Sequence, residues 1–232
     1  MFVDFHSHIL AGVDDGPPDI KTSREMLKIM KNQGVKVAAA TPHFYAHKQP
    51  LEEFLKTRQR ALDELSVAGC DMPVILPAAE VYIERGIHNL DLSGLCYGNT
   101  RLILVELPFC PYQSWMLDEV YNLSVRHSLV PVFAHLDRYL LAHGPQAIGE
   151  ILGFDGALIQ VNHNSLFCRA TRKQVLGWIR KGVPVVFGSD CHHPKARAPK
   201  PDKARAVIKS RLGERWLFEY EEFTLDLIGY QR

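Results

Sequence analysis

The sequence lacks three features that each mark a broad class of protein: charge excess of one sign, a long apolar run and paired cysteines. It has 27 basic and 26 acidic side chains, a formal net charge of +1, which argues against nucleic acid as a partner. No apolar run reaches about 18 residues and the first residues lack the basic and apolar regions of a signal peptide, so we expect neither a signal peptide nor membrane insertion.

The cysteines are too few and too scattered to form a framework. Their number is odd and no Cys-x-x-Cys spacing occurs, which argues against structural disulfides or a cysteine zinc site and fits a reducing cytoplasm: Cys70, Cys96, Cys110, Cys168 and Cys191. What remains is ordinary globular composition, 47% hydrophobic and 23% charged. We therefore expect one domain over residues 1–232 with one large core.

Short apolar runs alternate with helix-like segments along the chain. The predicted strands are 2–5, 35–40, 73–79, 102–105, 130–134, 157–161 and 184–187. The predicted helices are 20–33, 51–66, 114–127, 145–153, 171–181, 202–212 and part of 214–230. Several strands are apolar on both faces, as in a parallel sheet covered by helices. The pattern favours a closed or nearly closed α/β barrel of seven strands, with an open doubly wound sheet as the alternative.

Metal-ligating residue types stand at the ends of six of the seven predicted strands. They are His6 and His8, His43, Glu80, Glu106, His135, and Asp190 with His192. His6 and His8 are two residues apart and so point the same way from an extended chain. In a barrel the carboxyl ends of the strands converge on one face. The sequence therefore predicts a metal site, with enough donors for two or three ions.

The same motifs, in the same order, resemble those of the polymerase and histidinol phosphatase (PHP) superfamily. They run from residue 2 to about residue 200: His6-Ser7-His8 with Asp14-Asp15-Gly16, Thr41-Pro42-His43, Ala79-Glu80, Val105-Glu106, Ala134-His135-Leu136-Asp137-Arg138-Tyr139, Val161-Asn162 and Ser189-Asp190-Cys191-His192. The sequence is most similar to the branch of bacterial protein-tyrosine phosphatases that serve capsular and exopolysaccharide synthesis. The resemblance implies a distorted (β/α)7 TIM-like barrel and a trinuclear, manganese-dependent site.

The resemblance also implies how the donors are shared. One ion would be held by His6, His8, Glu80 and Asp190, a second by Glu80 as a bridge with Glu106 and His135, and a third by His43, His192 and either Asp14 or Asp15. We expect Asp15 of the two, because Gly16 after it allows a sharp turn. The expected cofactors are two or three divalent ions, manganese first, with iron, zinc, magnesium or nickel as alternatives.

Two arginines are predicted to bind phosphate. Arg138 lies three residues beyond His135, and Arg197 lies in a polar loop. A planar guanidinium can bind two phosphate oxygens at once; the alternative is a surface ion pair for each. Phe44 and Tyr45 follow His43 and are expected to line the pocket wall.

The resemblance implies a metal-dependent phosphatase that removes phosphate from tyrosine on a bacterial tyrosine autokinase. A small-molecule phosphatase of the histidinol phosphate type and a non-catalytic PHP binding module are the alternatives. No feature indicates an oligomeric state. The spacing from Cys191 to Arg197 also fits the Cys-x5-Arg motif of cysteine-dependent phosphatases. Because Pro194 removes one N–H from that loop and no glycine is present, we expect Cys191 to be a buried thiol without a catalytic role.

Overall fold

The computed structural model describes residues 2–66 and 72–230, in which strands and helices alternate. The strands are β1 Phe2–Ser7, β2 Val35–Ala40, β3 His43–Phe44, β4 Val74–Pro77, β5 Glu80–Tyr82, β6 Leu102–Glu106, β7 Val130–Phe133, β8 Leu158–Asn162 and β9 Val185–Gly188. The helices are α1 Ile20–Asn32, α2 Leu51–Ser66, α3 Trp115–His127, α4 Leu136–Ala142, α5 Gly144–Leu152, α6 Arg169–Arg180, α7 Pro201–Leu212 and α8 Glu214–Leu227. The prediction for Cys70 falls outside the described residues.

The strands form two parallel sheets, ordered β1-β2-β4 and β3-β5-β6-β7-β8-β9. Short interruptions divide β2 from β3 and β4 from β5, but backbone bonds continue across them. The Ala78 N–H donates to the Ala40 carbonyl at 2.9 Å, and the Glu80 N–H donates to the Pro42 carbonyl at 3.0 Å. Each interrupted pair therefore counts as one strand of the barrel, and the nine strands of the described chain make seven barrel strands.

The last strand of the barrel, β9, pairs with the first, β1. The Asp190 N–H donates to the His6 carbonyl at 2.7 Å, and the His8 N–H donates to the Cys191 carbonyl at 2.9 Å, both directly beyond β9. Gly188 permits this approach, because a Cβ there would lie 2.5 Å from the His6 Cβ. The ring of strands is closed, so the (β/α)7 barrel is confirmed and the open doubly wound sheet is wrong.

Helix α1 shows how the local sequence supports this architecture. The Asp19 carboxylate accepts a hydrogen bond from the Thr22 N–H at 2.8 Å and so caps the first turn. Met26, Leu27 and Met30 are fully buried on one face. Gly34 follows in the left-handed region with a φ of 86°, which ends the helix as predicted. Among the helices of the described chain, none is long and apolar enough to span a bilayer.

The structure differs from the sequence prediction at two places next to the barrel mouth. The predicted strand 73–79 stops at Pro77, and Glu80 instead begins the separate strand β5, where it pairs with His43. Residues 136–142 form α4, which was not predicted. Helix α4 starts directly after His135, whose φ of 31° and ψ of 52° turn the chain sharply out of β7.

Candidate metal centre

The donor groups near the carboxyl ends of β1 and β9 and at the start of β5 meet at one point. The Nε2 atoms of His6 and His8 lie 3.1 Å apart, and Glu80 Oε2 lies 3.1 Å and 3.2 Å from them. Asp190 Oδ1 lies 3.7 Å and 3.6 Å from the same two nitrogens. A tetrahedral ion with bonds near 2.1 Å would hold its ligands about 3.4 Å apart. These four atoms are therefore spaced as ligands of one ion.

A second group of donors surrounds the Glu80 and Glu106 carboxylates. His135 Nε2 lies 2.9 Å from Glu80 Oε1 and 3.3 Å from Glu106 Oε1. His43 Nδ1 approaches the other oxygens, at 3.1 Å from Glu80 Oε2 and 3.8 Å from Glu106 Oε2. Glu80 thus has Oε2 toward His6, His8 and His43 and Oε1 toward His135, which is the arrangement of a bridging carboxylate.

A third group lies toward solvent, beside His43 and His192. Asp15 Oδ1 is 3.2 Å from His192 Nε2 and 3.8 Å from His43 Nε2, with the Asp15 side chain 64% exposed. Asp14 has a different environment. Its carboxylate lies 2.6 Å from His8 Nδ1 and accepts the backbone N–H groups of Gly16 and His43 at 2.9 and 3.0 Å. Geometry favours Asp15 as a ligand and gives Asp14 the task of orienting His8.

The donor set fits divalent transition ions. One ligand atom from each residue comes within 4.8 Å of the others in three groups: His6, His8 and Asp190; His43, Glu80 and Glu106; and His8, Asp15, His43 and His192. Buried His43 Nδ1 makes no hydrogen bond, although it lies 3.1 Å from a carboxylate oxygen. Close donor atoms without hydrogen-bond alignment suit a shared ion, and imidazole with carboxylate suits zinc, iron, nickel or manganese.

The charges of this cluster are strongly interdependent. Burial alone would lower the pKa of His8, but the Asp14 and Glu80 carboxylates raise it to about 10. Burial would likewise lower the pKa of His135, which Glu106 and Glu80 raise to about 9. Burial opposes ionisation of Glu80, yet the neighbouring histidines hold its pKa well below the usual range. The carboxylates thus require positive charge beside them, from protons or from metal ions.

Sequence reasoning missed a glutamine that supports two of the histidines. The Oε1 of fully buried Gln160 lies 2.9 Å from His6 Nδ1 and accepts the His135 N–H at 2.6 Å. Its amide nitrogen donates to Asn162 Oδ1 at 3.0 Å, and Asn162 Nδ2 donates to Asp190 Oδ2 at 3.0 Å. Two polar side chains alternating along the otherwise apolar strand β8 were the available signal.

Two of the candidate ligands have unusual backbone conformations. His135 and Asp190 have φ values of 31° and 51°, in the left-handed region that residues with a Cβ rarely adopt. The surrounding bonds hold both in place, including those from the His135 N–H to Gln160 and from the Asp190 N–H to His6. Strain of this kind costs on the order of 1–3 kcal/mol and clusters at functional sites.

Both predicted phosphate-binding arginines reach the edge of the cluster. Arg138 Nη1 lies 3.1 Å from Asp190 Oδ2, and Arg197 Nη2 lies 2.8 Å from Asp190 Oδ1. Their side chains are 43% and 41% exposed, so donors remain free toward solvent. They line a polar cavity of about 260 Å³ together with Asn162 and Lys200. A second cavity, about 370 Å³, is lined by Asp15, His43 and Tyr45.

Of the remaining candidates, one lines a cavity and two are buried in the protein core. Tyr45 lines the second cavity, but Phe44 is fully buried against the Phe54 ring at 5.1 Å, so its prediction as pocket wall is wrong. Cys191 is 1% exposed and packs in an apolar cluster with Ile9 and Met26. Burial raises the pKa of its thiol well above the ordinary value. Such a thiol is a poor nucleophile.

Comparisons with known proteins agree on one family. A family model for capsular polysaccharide synthesis, CpsB/CapC, matches residues 2–220. Tyrosine-protein phosphatase YwqE of Bacillus subtilis is 28% identical over 222 residues, which cover 91% of this chain and 85% of YwqE. Tyrosine-protein phosphatase CpsB of Streptococcus pneumoniae is 25% identical over 230 residues, 91% of each chain.

The barrel also matches a solved fold. A structure from work on YwqE of B. subtilis and CpsB of S. pneumoniae, described there as unique metal-dependent tyrosine phosphatases, superposes with a TM-score of 0.82 at 24% identity. The match covers 100% of this chain and 96% of the other. The fold of this chain is therefore the fold of that structure over its full length.

Proposed function

Because the chain belongs to the CpsB/CapC family of capsular polysaccharide synthesis, we infer that it is a metal-dependent tyrosine-protein phosphatase, the activity named for its relatives YwqE and CpsB. One observation in the structure carries this function. Buried imidazoles and carboxylates converge within 3.1–3.7 Å at the barrel mouth, with two half-exposed arginines at their edge. Such a site can hold divalent ions and a phosphoryl group side by side.

We assign the donors to three ions, of which manganese is the expected metal. The first ion would be held by His6, His8, Glu80 and Asp190, the second by Glu80, Glu106 and His135, and the third by His43, His192 and Asp15. The contact distances given above support each set. Asp14 is assigned the role of fixing the His8 tautomer, so that Nε2 of His8 is free to ligate.

Bound divalent ions would supply a nucleophile from water at neutral pH and offset the charge of the phosphoryl group. Arg138 and Arg197 bind the phosphoryl oxygens with the N–H groups that Asp190 does not use, and so orient the ester toward the donor cluster. A phenolate leaving group has a pKa of about 10 and needs little protonation to depart. The site therefore requires no dedicated acid on the leaving-group side.

The finer proposal is that the substrate is a phosphotyrosine on a bacterial tyrosine autokinase in the cytoplasm. The family's connection with capsular polysaccharide synthesis supports a protein substrate of that system. The half-exposed arginines support a site that an extended segment of a protein can reach. The cysteines of the described chain, all of them free thiols, fit a reducing compartment: Cys96, Cys110, Cys168 and Cys191.

The test combines metal analysis with kinetics. The purified protein is stripped of metal, its metal content is measured, and it is then loaded with manganese, iron, zinc, magnesium or nickel. We expect hydrolysis of a phosphotyrosyl peptide only after loading, with kcat/KM well above that for histidinol phosphate. Full activity with metal content near zero would contradict metal dependence, and a preference for histidinol phosphate would point to the small-molecule alternative.

Arginine variants test the phosphate assignment in the same assay. Arg138→Ala and Arg197→Ala should each lose about 2–4 kcal/mol of transition-state stabilisation while keeping their metal content. Arg126→Ala is the matched control, since Arg126 lies on α3 and donates to the Asn89 side chain at an exposed position. Loss of bound metal in Arg138→Ala would show that this arginine is structural.

A further inference from the structure

A solvent-exposed aromatic side chain lies at the rim of the candidate metal centre. Phe109 follows β6, three residues beyond Glu106, and its side chain is 50% exposed. Isolated exposed apolar residues are common on protein surfaces. The position of Phe109 distinguishes it, because its ring lies against both a candidate metal ligand and a phosphate-binding arginine.

The contacts of Phe109 fix the ring at this place. Its centroid lies 5.5 Å from that of His135 with an interplanar angle of 30°, and 5.3 Å from that of Tyr139. The guanidinium carbon of Arg138 lies 5.6 Å from the Phe109 centroid. These distances lie within the ranges for ring pairs and for cations beside rings. One part of the ring is thus anchored, and the rest is exposed to solvent beside Arg138.

Two other aromatic side chains near the mouth have different neighbours. Tyr45 and Tyr82 pack against each other with centroids 5.2 Å apart. The Lys48 ammonium lies 3.7 Å from the Tyr45 centroid and covers that ring. Among the described residues, Phe109 is therefore the half-exposed ring that lies beside a predicted phosphate-binding arginine.

The geometry of an aryl phosphate connects these observations. Only one oxygen separates the phosphorus from the ring, so a phosphoryl group held by Arg138 places its aryl ring within a few ångströms of that guanidinium. Aromatic pairs favour centroid distances of about 4.5–7 Å. A ring attached to a phosphate on Arg138 can reach Phe109 at such a distance, whereas a serine or threonine phosphate offers no ring.

We propose that Phe109 is a specificity-determining residue, against which the phenyl ring of phosphotyrosine packs while Arg138 and Arg197 hold the phosphoryl group. This inference rests on the proposed function and names the residue that selects aryl over alkyl phosphates. The contact exists before and during the reaction, so it acts on binding and is expected in KM more than in kcat.

Two non-hydrolysable inhibitors isolate the ring contact. Benzylphosphonate and ethylphosphonate share the phosphonate head, and only the first carries a ring in the position of the tyrosyl group. Each is measured as a competitive inhibitor of the manganese-loaded protein, with p-nitrophenyl phosphate as substrate. The wild-type protein should bind benzylphosphonate more tightly.

The variants are Phe109→Ala and Phe109→Trp, with Phe218→Ala as the matched control on α8, where Phe218 is 60% exposed. Phe109→Ala should lower the ratio of the two affinities by about 3- to 10-fold and raise KM for a phosphotyrosyl peptide, with kcat and metal content retained. Phe109→Trp should preserve the ratio, as should the control.

The outcomes distinguish this inference from the function on which it rests. If the wild-type protein fails to hydrolyse the phosphotyrosyl peptide, the proposed function is wrong and the inference falls with it. If the wild-type protein hydrolyses the peptide but Phe109→Ala keeps the wild-type inhibitor ratio, the inference alone is wrong. An equal loss of affinity for both phosphonates would also overturn it, since that result means a general disturbance of the site.

Discussion

Gln160 shows how much of the candidate metal centre depends on side chains outside the donor set. Its carboxamide oxygen lies 2.9 Å from His6 Nδ1, which leaves His6 Nε2 free to face the donor cluster. The same oxygen fixes the backbone of His135. One buried amide therefore sets the orientation of histidines from two different strands.

We predict that Gln160→Met lowers manganese affinity by about 10- to 100-fold and reduces the free energy of unfolding, because it leaves buried polar groups of His6 and His135 without a partner. Titration of the metal-free protein followed by calorimetry measures the first effect, and urea denaturation the second. Gln146→Met, at an exposed position of α5 where the side chain contacts Glu150, should change neither. Unaltered manganese affinity in Gln160→Met would contradict the proposal that Gln160 orients His6 and His135 for metal binding.

Cys191 has the Cys-x5-Arg spacing of cysteine-dependent phosphatases but lacks the exposed, reactive thiol that their mechanism requires. The thiol is enclosed in an apolar cluster, while Asp190 and His192 on either side face the donor groups. We expect Cys191→Ala to retain most phosphatase activity and iodoacetamide to inactivate the wild-type protein slowly or not at all. Activity that survives metal removal and disappears in Cys191→Ala would instead favour a cysteine nucleophile.

At the residue scale, the convergence of the strand-end groups could be predicted from the sequence, because histidines and carboxylates follow buried apolar runs and the carboxyl ends of barrel strands share one face. Gln160 and Asp4 could not be placed, because their importance lies in partners far along the chain. Asp4 Oδ1 accepts the Ser189 N–H at 2.8 Å, and no local pattern around Asp4 indicates that bond. Burial raises the pKa of Asp4 to about 6.

Among the elements, the pairing of β9 with β1 has little room for added volume, because Gly188 has the shortest Cβ distance of the described glycines. A Cβ at Gly188 would lie 2.7 Å from the backbone nitrogen of His6, and backbone cannot rotate aside. We predict that Gly188→Ala lowers the free energy of unfolding by about 3 kcal/mol, the upper end of the usual range for overpacking, and weakens metal binding as well.

The matched control is Gly149→Ala in the exposed interior of α5, where an added Cβ meets nothing within 4 Å. That change should raise the free energy of unfolding by about 0.5–1 kcal/mol, because alanine restricts the unfolded chain. Urea denaturation of both variants gives the comparison. Equal stabilities for the two variants would contradict the close approach at Gly188.

The elements that could be predicted were those with local signals. Strand 35–40 and helix 51–66 have the predicted bounds, since apolar periodicity and flanking residues define them. Helix α4 was missed because its start depends on a left-handed conformation at His135, where sequence rules expect glycine. The division between β4 and β5 was missed because the pairing of Glu80 with His43 is not local.

For the whole molecule, the acid side of the stability curve should depend on His163. Its imidazole is 1% exposed, makes no hydrogen bond within the described residues and packs 5.6 Å from the Phe2 ring. Burial lowers the pKa of His163 from 6.5 to about 3. Below pH 6.5 the imidazole of His163 therefore binds a proton in the unfolded chain but stays neutral in the folded protein. The free energy of unfolding decreases as the pH falls from 6.5 toward 3.

We predict that the wild-type protein loses about 2 kcal/mol more stability than His163→Phe between pH 7 and pH 5. Taking the difference between the two proteins cancels the titration of groups common to both, including Asp4. Urea denaturation at both pH values provides the measurement. Parallel pH dependences of the two proteins would mean that His163 is protonated or solvated in the folded state.

The ring of strands closes between β9 and β1, and the proposed first ion draws its ligands from both sides of that closure. On a ribosome, His6 and His8 emerge early, whereas Asp190 emerges only after the intervening strands have been synthesised. A nascent chain therefore carries half of a metal pocket for most of its synthesis. The proposed ligand set is complete only after β9 and Asp190 have been synthesised. Fragments that end before β9 should therefore be inactive whatever metal is supplied.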